Sequence, residues 1–287
     1  MKRGSFGSRL GFILAASGSA VGLGNIWKFP FEVSNGGGAA FLLMYLFFCF
    51  ILCFPVIVSE IAIGRKTKKN AIGAFNKLNH RKWNFIGKMG VLCGVLILSF
   101  YTVVAGWVLG YVIEMVNGNF DISNDFGAYV NDIENVFLYS ILFMFFTALI
   151  VSKGIEKGIE KAAKILMPSL IGIILVLIIY ALTLPNSIDG IIFYLVPDFS
   201  QINLNIAGNA LGQAFFSLSL GMGMLITYGS YVDDKNNIVN SAALITLADV
   251  GIAFLSGLII FPFVFSSCSR YYDYKCLLKN VKSINIS

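Results

Sequence analysis

Long apolar runs, each of roughly 20 residues, alternate with short polar segments along most of the chain. A hydrocarbon core about 30 Å thick is crossed by about 20 helical residues. The runs at 10–31, 38–63, 89–116, 136–151, 162–184, 206–232 and 238–265 therefore predict about seven transmembrane helices. Two of them are interrupted near their middle. Gly18-Ser-Ala-Val-Gly-Leu-Gly-Asn25 weakens the first, and Ser217-Leu-Ser-Leu-Gly-Met-Gly223 weakens the sixth. In hydrocarbon an unpaired N–H or C=O costs several kcal/mol, so irregular backbone persists there only against protein or a polar cavity. Broken helices in corresponding positions of two halves point to the substrate and ion site of a secondary transporter.

Composition agrees with the pattern. The 287 residues are 57% hydrophobic and 13% charged, with mean hydropathy +0.80, whereas soluble domains carry about 25% charge. The net charge of +6 does not indicate nucleic acid once the charges are placed. Basic residues gather at the N-terminus, in 65–88 and in 153–164, on one side of the membrane if the N-terminus is inside. The opposite loop, 117–135, holds Asp121, Asp125, Asp132 and Glu134 and no Lys or Arg. The positive-inside rule then predicts a cytoplasmic N-terminus. Met1-Lys2-Arg3 leads into an apolar run without an Ala-x-Ala cleavage site, so the first span is expected to be retained. The outer loop around Pro185, Asp198 and Phe199 is partly apolar and is expected to fold back as a cap.

Candidate chemistry is sparse and therefore informative. No Walker loop, metal cluster or triad-like set is present, and the one His, His80, sits in a basic loop, so an enzyme reading is poor. Cys49 and Cys53 are spaced i, i+4 and read as packed or lipid-facing thiols. Glu60 and Asp249 lie in or near apolar runs, where an ionisable group defaults to a functional hypothesis. If the first span unwinds near 19–22, carbonyls of Gly18, Ala20 and Val21 and the Asn25 amide oxygen offer the ligands a hard cation takes, and freed N–H groups offer a seat for a carboxylate. Gly18-x-x-x-Gly22 is also the spacing of a helix-packing motif; the second break favours the site reading.

The stretch from Arg9 to Pro30, with Asn35-Gly-Gly-Gly-Ala39, Met167-Pro168, Pro197-Asp-Phe199 and 212–223, closely resembles the neurotransmitter:sodium symporter family over about residues 3–265. The resemblance implies an all-α membrane protein built on two inverted five-helix repeats with broken helices 1 and 6. It implies sodium-coupled symport of an amino acid, a small-molecule substrate, by alternating access, with sodium ions and membrane lipid as the other partners. Ala20, Asn25, Ser217 and Asp249 fall on the family's first sodium site, and Gly18 and Val21 on its second. Backbone at Ala20, Gly22 and Leu23 with the Tyr101 hydroxyl falls on the carboxylate seat. Ile97, Phe216, Ser217, Ser219, Leu220 and Met222 fall on the side-chain pocket. Lys28 and Gln213 resemble the outer gate; Arg3, Phe6 and Tyr231 resemble the inner one.

The departures sharpen the expectation. Gly22 stands where monoamine transporters of the family have an Asp, which favours amino acids, and Ile97 and Met222 favour apolar or aromatic ones. Asp249 and Ala253 stand where animal members have an Asn and a chloride-binding Ser, so chloride-independent function is expected. Lys28 replaces an Arg and cannot form its bidentate fork, and Phe6 replaces a Trp. The expected organisation is a first repeat at 1–184, an outer loop and the first two helices of the second repeat at 185–265, and an unrelated tail at 266–287, read as out of frame. A separately encoded second half is one expected partner. The alternative is a truncated remnant that does not transport.

Overall fold

A computed structural model describes residues 6–120 and 126–267, so Arg3, Asp121, Asp125 and most of the anomalous tail lie outside the described residues. The first run is a bent pair. Helix α1, Arg9–Ala20, stops at an extended Val21, and the chain resumes as a π-turn at Gly24–Lys28 continuing into α2, Phe29–Asn35, with a bend of 54°. The second run is α3, Ala39–Phe48, and α4, Phe54–Thr67, joined by a π-turn at Cys49–Cys53. Both cysteines are free and buried. A short helix, α5, Ala71–Lys77, and a 3-10 turn at Arg81–Trp83 lead to the long α6, Asn84–Val116. Then follow α7, Phe126–Asn131, α8, Ile133–Ser152, and α9, Lys161–Leu182, the last entered through a π-turn at Ile155–Glu160. The outer loop contains α10, Ser187–Leu195, and the described residues close with α11, Leu204–Ser217, α12, Met224–Gly229, and α13, Ile238–Ser267.

Among the described residues five helices, α3 and α4 taken together as one, are long and apolar enough to cross a membrane, and the bent pair counted as one span gives a sixth. The remaining predicted span, 206–232, is split more deeply than its sequence suggests. Helices α11 and α12, of 14 and 6 residues, are separated by an irregular stretch with Ser219, Gly221 and Gly223 at positive φ.

Burial is uneven in the way a membrane protein requires. The core is formed by α1, α3, α4, α11 and α13 around Phe12, Phe41, Tyr45, Ile57 and Phe261. Along α6, α8 and α9 large apolar side chains such as Leu92, Phe137 and Ile173 are exposed. Lipid tails are as apolar as Leu, so these helices associate through close packing of small residues instead. Gly106 on α6 meets the backbone of Ser140 on α8; in the core, Gly64 on α4 likewise meets the Ile226 carbonyl of α12, and Gly229 on α12 the backbone of Ile61. The outer loop departs from the expected cap. Helix α10 packs flat on α13, with Tyr194 fully buried and its hydroxyl donating to the Phe254 carbonyl at 3.0 Å.

Candidate functional site

Asn25 organises the first break. Its Oδ1 accepts from the Gly22 N–H at 3.1 Å, and its own N–H donates to the Gly22 carbonyl at 3.1 Å, so side chain and backbone together cap the interrupted helix. The amide nitrogen then reaches outward to Asp249 Oδ1 at 2.8 Å, Ser217 Oγ at 3.0 Å and the Asp249 carbonyl at 3.1 Å. Ser217 donates to Asp249 Oδ2 at 2.8 Å, and the Tyr45 hydroxyl lies 3.4 Å from the same oxygen. The Ser256 hydroxyl donates to the Asn25 carbonyl at 2.7 Å. One amide thus ties the first break to α11 and α13.

The electrostatics of this cluster are one-sided. Asn25 and Asp249 are 0% exposed and Ser217 is 2% exposed. Every hydrogen bond that Asp249 accepts comes from a neutral group, and among the described residues no Lys, Arg or His pairs with it. A buried carboxylate in this setting is strongly unfavourable without a compensating cation. The cluster therefore gathers oxygen atoms around a fixed acid, the chemistry a hard cation is bound by.

Two residues in it carry no sequence motif. Tyr45 and Ser256 are single hydroxyls in apolar runs, and the only available signal was their polarity at membrane depth. Glu60 has a different place. Its Oε1 accepts from the Gly221 N–H at 2.8 Å, so it caps the second break from behind, and it does not join the Asp249 cluster.

The two breaks and α6 enclose a cavity of about 590 Å³. Gly18, Ala20, Val21, Gly22 and Leu23 line it from the first break, and Phe216, Ser217, Ser219 and Met222 from the second. Ile97 and Tyr101 line it from α6. Close approach is possible because Gly90 on α6 leaves no space for a Cβ against the Gly221 carbonyl. Leu220 corrects the expectation: it is buried in the core among Leu218 and Leu225 and does not line the cavity. The positive φ of Ser219 turns the chain there and directs the next side chain away. Polar surface comes from backbone and from Ser19, Tyr101, Thr102, Ser217 and Ser219, while the remaining walls are apolar. Such a space suits a small ligand with one charged end and an apolar body.

The Phe216 and Tyr101 rings meet edge to face, with centroids 6.5 Å apart. They partition this cavity from a smaller one of about 240 Å³ lined by Trp27, Lys28, Phe31, Glu32 and Phe100. Lys28 Nζ sits 4.4 Å from the Phe216 ring centroid, a cation–π contact in place of a salt bridge. Gln213 is buried and donates to the Gly24 carbonyl at 2.8 Å, joining α11 to the first π-turn. At the other end Phe6 packs on Phe12 and Tyr228, and its N–H donates to the Tyr231 carbonyl at 3.3 Å. Arg3 lies outside the described residues. Gly18 faces Met167, and Val21 packs with Met167, Ile174 and Ile252, so oxygen at that point comes from the backbone of the first break.

Comparison with known proteins gives a consistent picture. The profile of the Sodium:neurotransmitter symporter family matches residues 3–132 and 118–272. The uncharacterized sodium-dependent transporter YhdH of Bacillus subtilis is 40% identical over 266 residues, 90% of this chain and 59% of that protein. An uncharacterized sodium-dependent transporter of Methanocaldococcus jannaschii is 42% identical over 277 residues, 91% of this chain and 56% of that one. The crystal structure of MhsT in complex with L-phenylalanine superposes with a TM-score of 0.87 at 43% identity, covering 92% of this chain and 62% of that chain. The chain thus spans about three fifths of the length of these relatives.

Proposed function

This chain belongs to the sodium:neurotransmitter symporter family, and from that premise we propose that it carries the central site of a sodium-coupled symporter for apolar or aromatic amino acids. The observation that carries the reading is the buried Asp249–Ser217–Asn25 cluster, an uncompensated acid at the wall of a mainly apolar cavity. One sodium ion takes the Asp249, Ser217 and Asn25 oxygens with the Ala20 carbonyl, the Asn25 amide turning its oxygen inward. A second takes carbonyls of Gly18 and Val21. The amino acid carboxylate is received by N–H groups freed at Ala20, Gly22 and Leu23 and by the Tyr101 hydroxyl, and the side chain rests among Ile97, Phe216, Ser219 and Met222. The co-crystallised L-phenylalanine of MhsT supports a ligand of this class.

Asp249 supplies inside the protein the negative charge that chloride supplies in relatives with Asn and Ser, so transport proceeds without chloride. Phe216 with Lys28 and Gln213 forms the outer closure, and Phe6 with Tyr231 the inner one. The N-terminus faces the cytoplasm of a bacterial cell, and sodium entry down the membrane potential contributes about 2.3 kcal/mol per charge per 100 mV to uptake. Residues 1–184 form the first repeat and 185–265 the start of the second. A non-transporting remnant is the second reading.

Uptake into proteoliposomes decides between them. The test measures radiolabelled L-phenylalanine uptake with sodium or potassium outside, and with chloride or gluconate as anion, for the chain alone and for the chain co-expressed with the remaining two fifths of a relative. Sodium-dependent, chloride-indifferent uptake in either preparation supports symport. Sodium-independent uptake overturns it, and no uptake in both favours the remnant.

A further inference from the structure

Segment 65–88 contains eight Lys and Arg residues and no Asp or Glu. Among the described side chains, Arg65, Lys68 and Lys77 are engaged within the protein. Arg65 donates to the Asn236 carbonyl at 2.7 Å, Lys68 to the Val232 carbonyl at 2.7 Å with Asp234 at 3.2 Å, and Lys77 to the Thr67 carbonyl at 2.9 Å. These fasten the end of α4 to the α12–α13 turn and to α5. Lys66, Lys69, Lys82 and Lys88 are different: all four are exposed, and none makes a hydrogen bond or ion pair among the described residues.

These free cations flank one backbone crossing in the sequence. The backbone of Ala71 and Ile72 crosses α6 at Gly87, where an added Cβ would come within 2.5 Å of the Ala71 carbonyl. Lys69 stands two residues before Ala71 and Lys88 directly after Gly87, so this crossing joins the two backbone stretches that carry them. Lys82 immediately precedes Trp83, and Trp83 stacks on Phe85 with a centroid separation of 6.4 Å and an interplanar angle of 22°. Both rings are more than half exposed, and Ile86 and Met89 continue the exposed apolar surface along α6. Aromatic side chains of this kind sit at headgroup level, and lysine stems lie along apolar surface with their charge in water.

We propose that this junction is a docking surface for anionic phospholipid, its phosphate held among Lys66, Lys69, Lys82 and Lys88 and its chains lying against Phe85, Ile86 and Met89. Charge complementarity selects an anion, and the continuous exposed aromatic and aliphatic strip beside it selects a lipid over a soluble polyanion. Basic clusters next to a membrane span recognise anionic headgroups through this combination.

The test uses the full chain in nanodiscs of dioleoyl phosphatidylglycerol, phosphatidylcholine or an equal mixture, with lipids retained after extraction counted by native mass spectrometry. From the mixture, phosphatidylglycerol is expected to be retained in preference to phosphatidylcholine. A lysine near an anionic surface contributes about fivefold to binding, so K66Q/K69Q/K82Q/K88Q is expected to lower that preference by at least about tenfold. K153Q/K157Q/K161Q, which removes charge elsewhere on the same side, is expected to retain it. An equal loss in both variants, or none in the first, overturns the proposal. So does equal thermal stabilisation of the wild type in phosphatidylcholine by inorganic phosphate. If the quadruple variant does not fold, K69Q and K88Q are measured singly, and an unchanged preference in both has the same consequence.

Discussion

Asn25 performs two tasks with one side chain, holding the first break closed through Gly22 and presenting the amide to Ser217 and Asp249. The carboxylate is the charged member of that cluster, and removing its charge leaves the geometry while cancelling the attraction for a cation. D249N is expected to raise the sodium concentration for half-maximal uptake by at least about tenfold, equivalent to about 1.4 kcal/mol, as read from sodium titration of amino acid uptake. Ala253, fully buried one turn further along α13, offers no hydroxyl for an anion. D249N/A253S is therefore expected to recover uptake in chloride and not in gluconate; recovery indifferent to the anion would remove the charge-replacement idea. Much of this cluster was legible because Asp249 in an apolar run and Asn25 after a glycine break are expensive placements. Tyr45 and Ser256 were not, since one hydroxyl in a long apolar run gives no spacing to read. Leu220 was misplaced for a related reason: helical periodicity stops at Ser219, and beyond it side-chain direction is set by backbone angles no pattern announces.

The elements around the site are held by backbone contact more than by side-chain volume. Gly64 and Gly229 each meet the backbone of the other's helix, so α4 and α12 approach as closely as two helices can. A methyl group at either position has only main chain to push against. G64A and G229A are each expected to destabilise the protein by about 1–3 kcal/mol, as overpacking of a filled contact does, seen as a lowered thermal unfolding midpoint in detergent. G172A, on α9 with open space around the added Cβ, is the control expected to be near neutral. At this scale the sequence identified the runs well, because apolar length is a direct requirement of the bilayer. It did not reveal the π-turns at 24–28 and 49–53, which depend on tertiary packing. It also read the outer loop as a cap, because Ile191 and Ile192 are apolar, where the chain instead lays α10 against α13.

In the whole molecule the cavity is walled by both breaks, by α6, whose outer stretch contributes Thr102 and Ala105, and by Phe143 of α8. The chain covers 62% of MhsT, and a labelling experiment tests whether helices from the rest of a relative cover the wall at Thr102, Ala105 and Phe143. A105C, in a background with Cys93, Cys268 and Cys276 changed to Ser, is expected to react readily with a small maleimide in the chain alone. Co-expression of the missing portion of a relative is expected to slow the reaction several-fold, and an unchanged rate would show that the added helices do not cover this wall. The glycine contact between α4 and α12 has a mechanical consequence as well. Two helices locked main chain to main chain cannot slide past one another, so they move as a single lever. Rotation of α12 relative to α11 must then be absorbed within the six residues 218–223, with Ser219, Gly221 and Gly223 as its pivots. Glu60, carried on the lever and bonded to the pivot at Gly221, acts as the pin that couples the angle of that hinge to the position of α4.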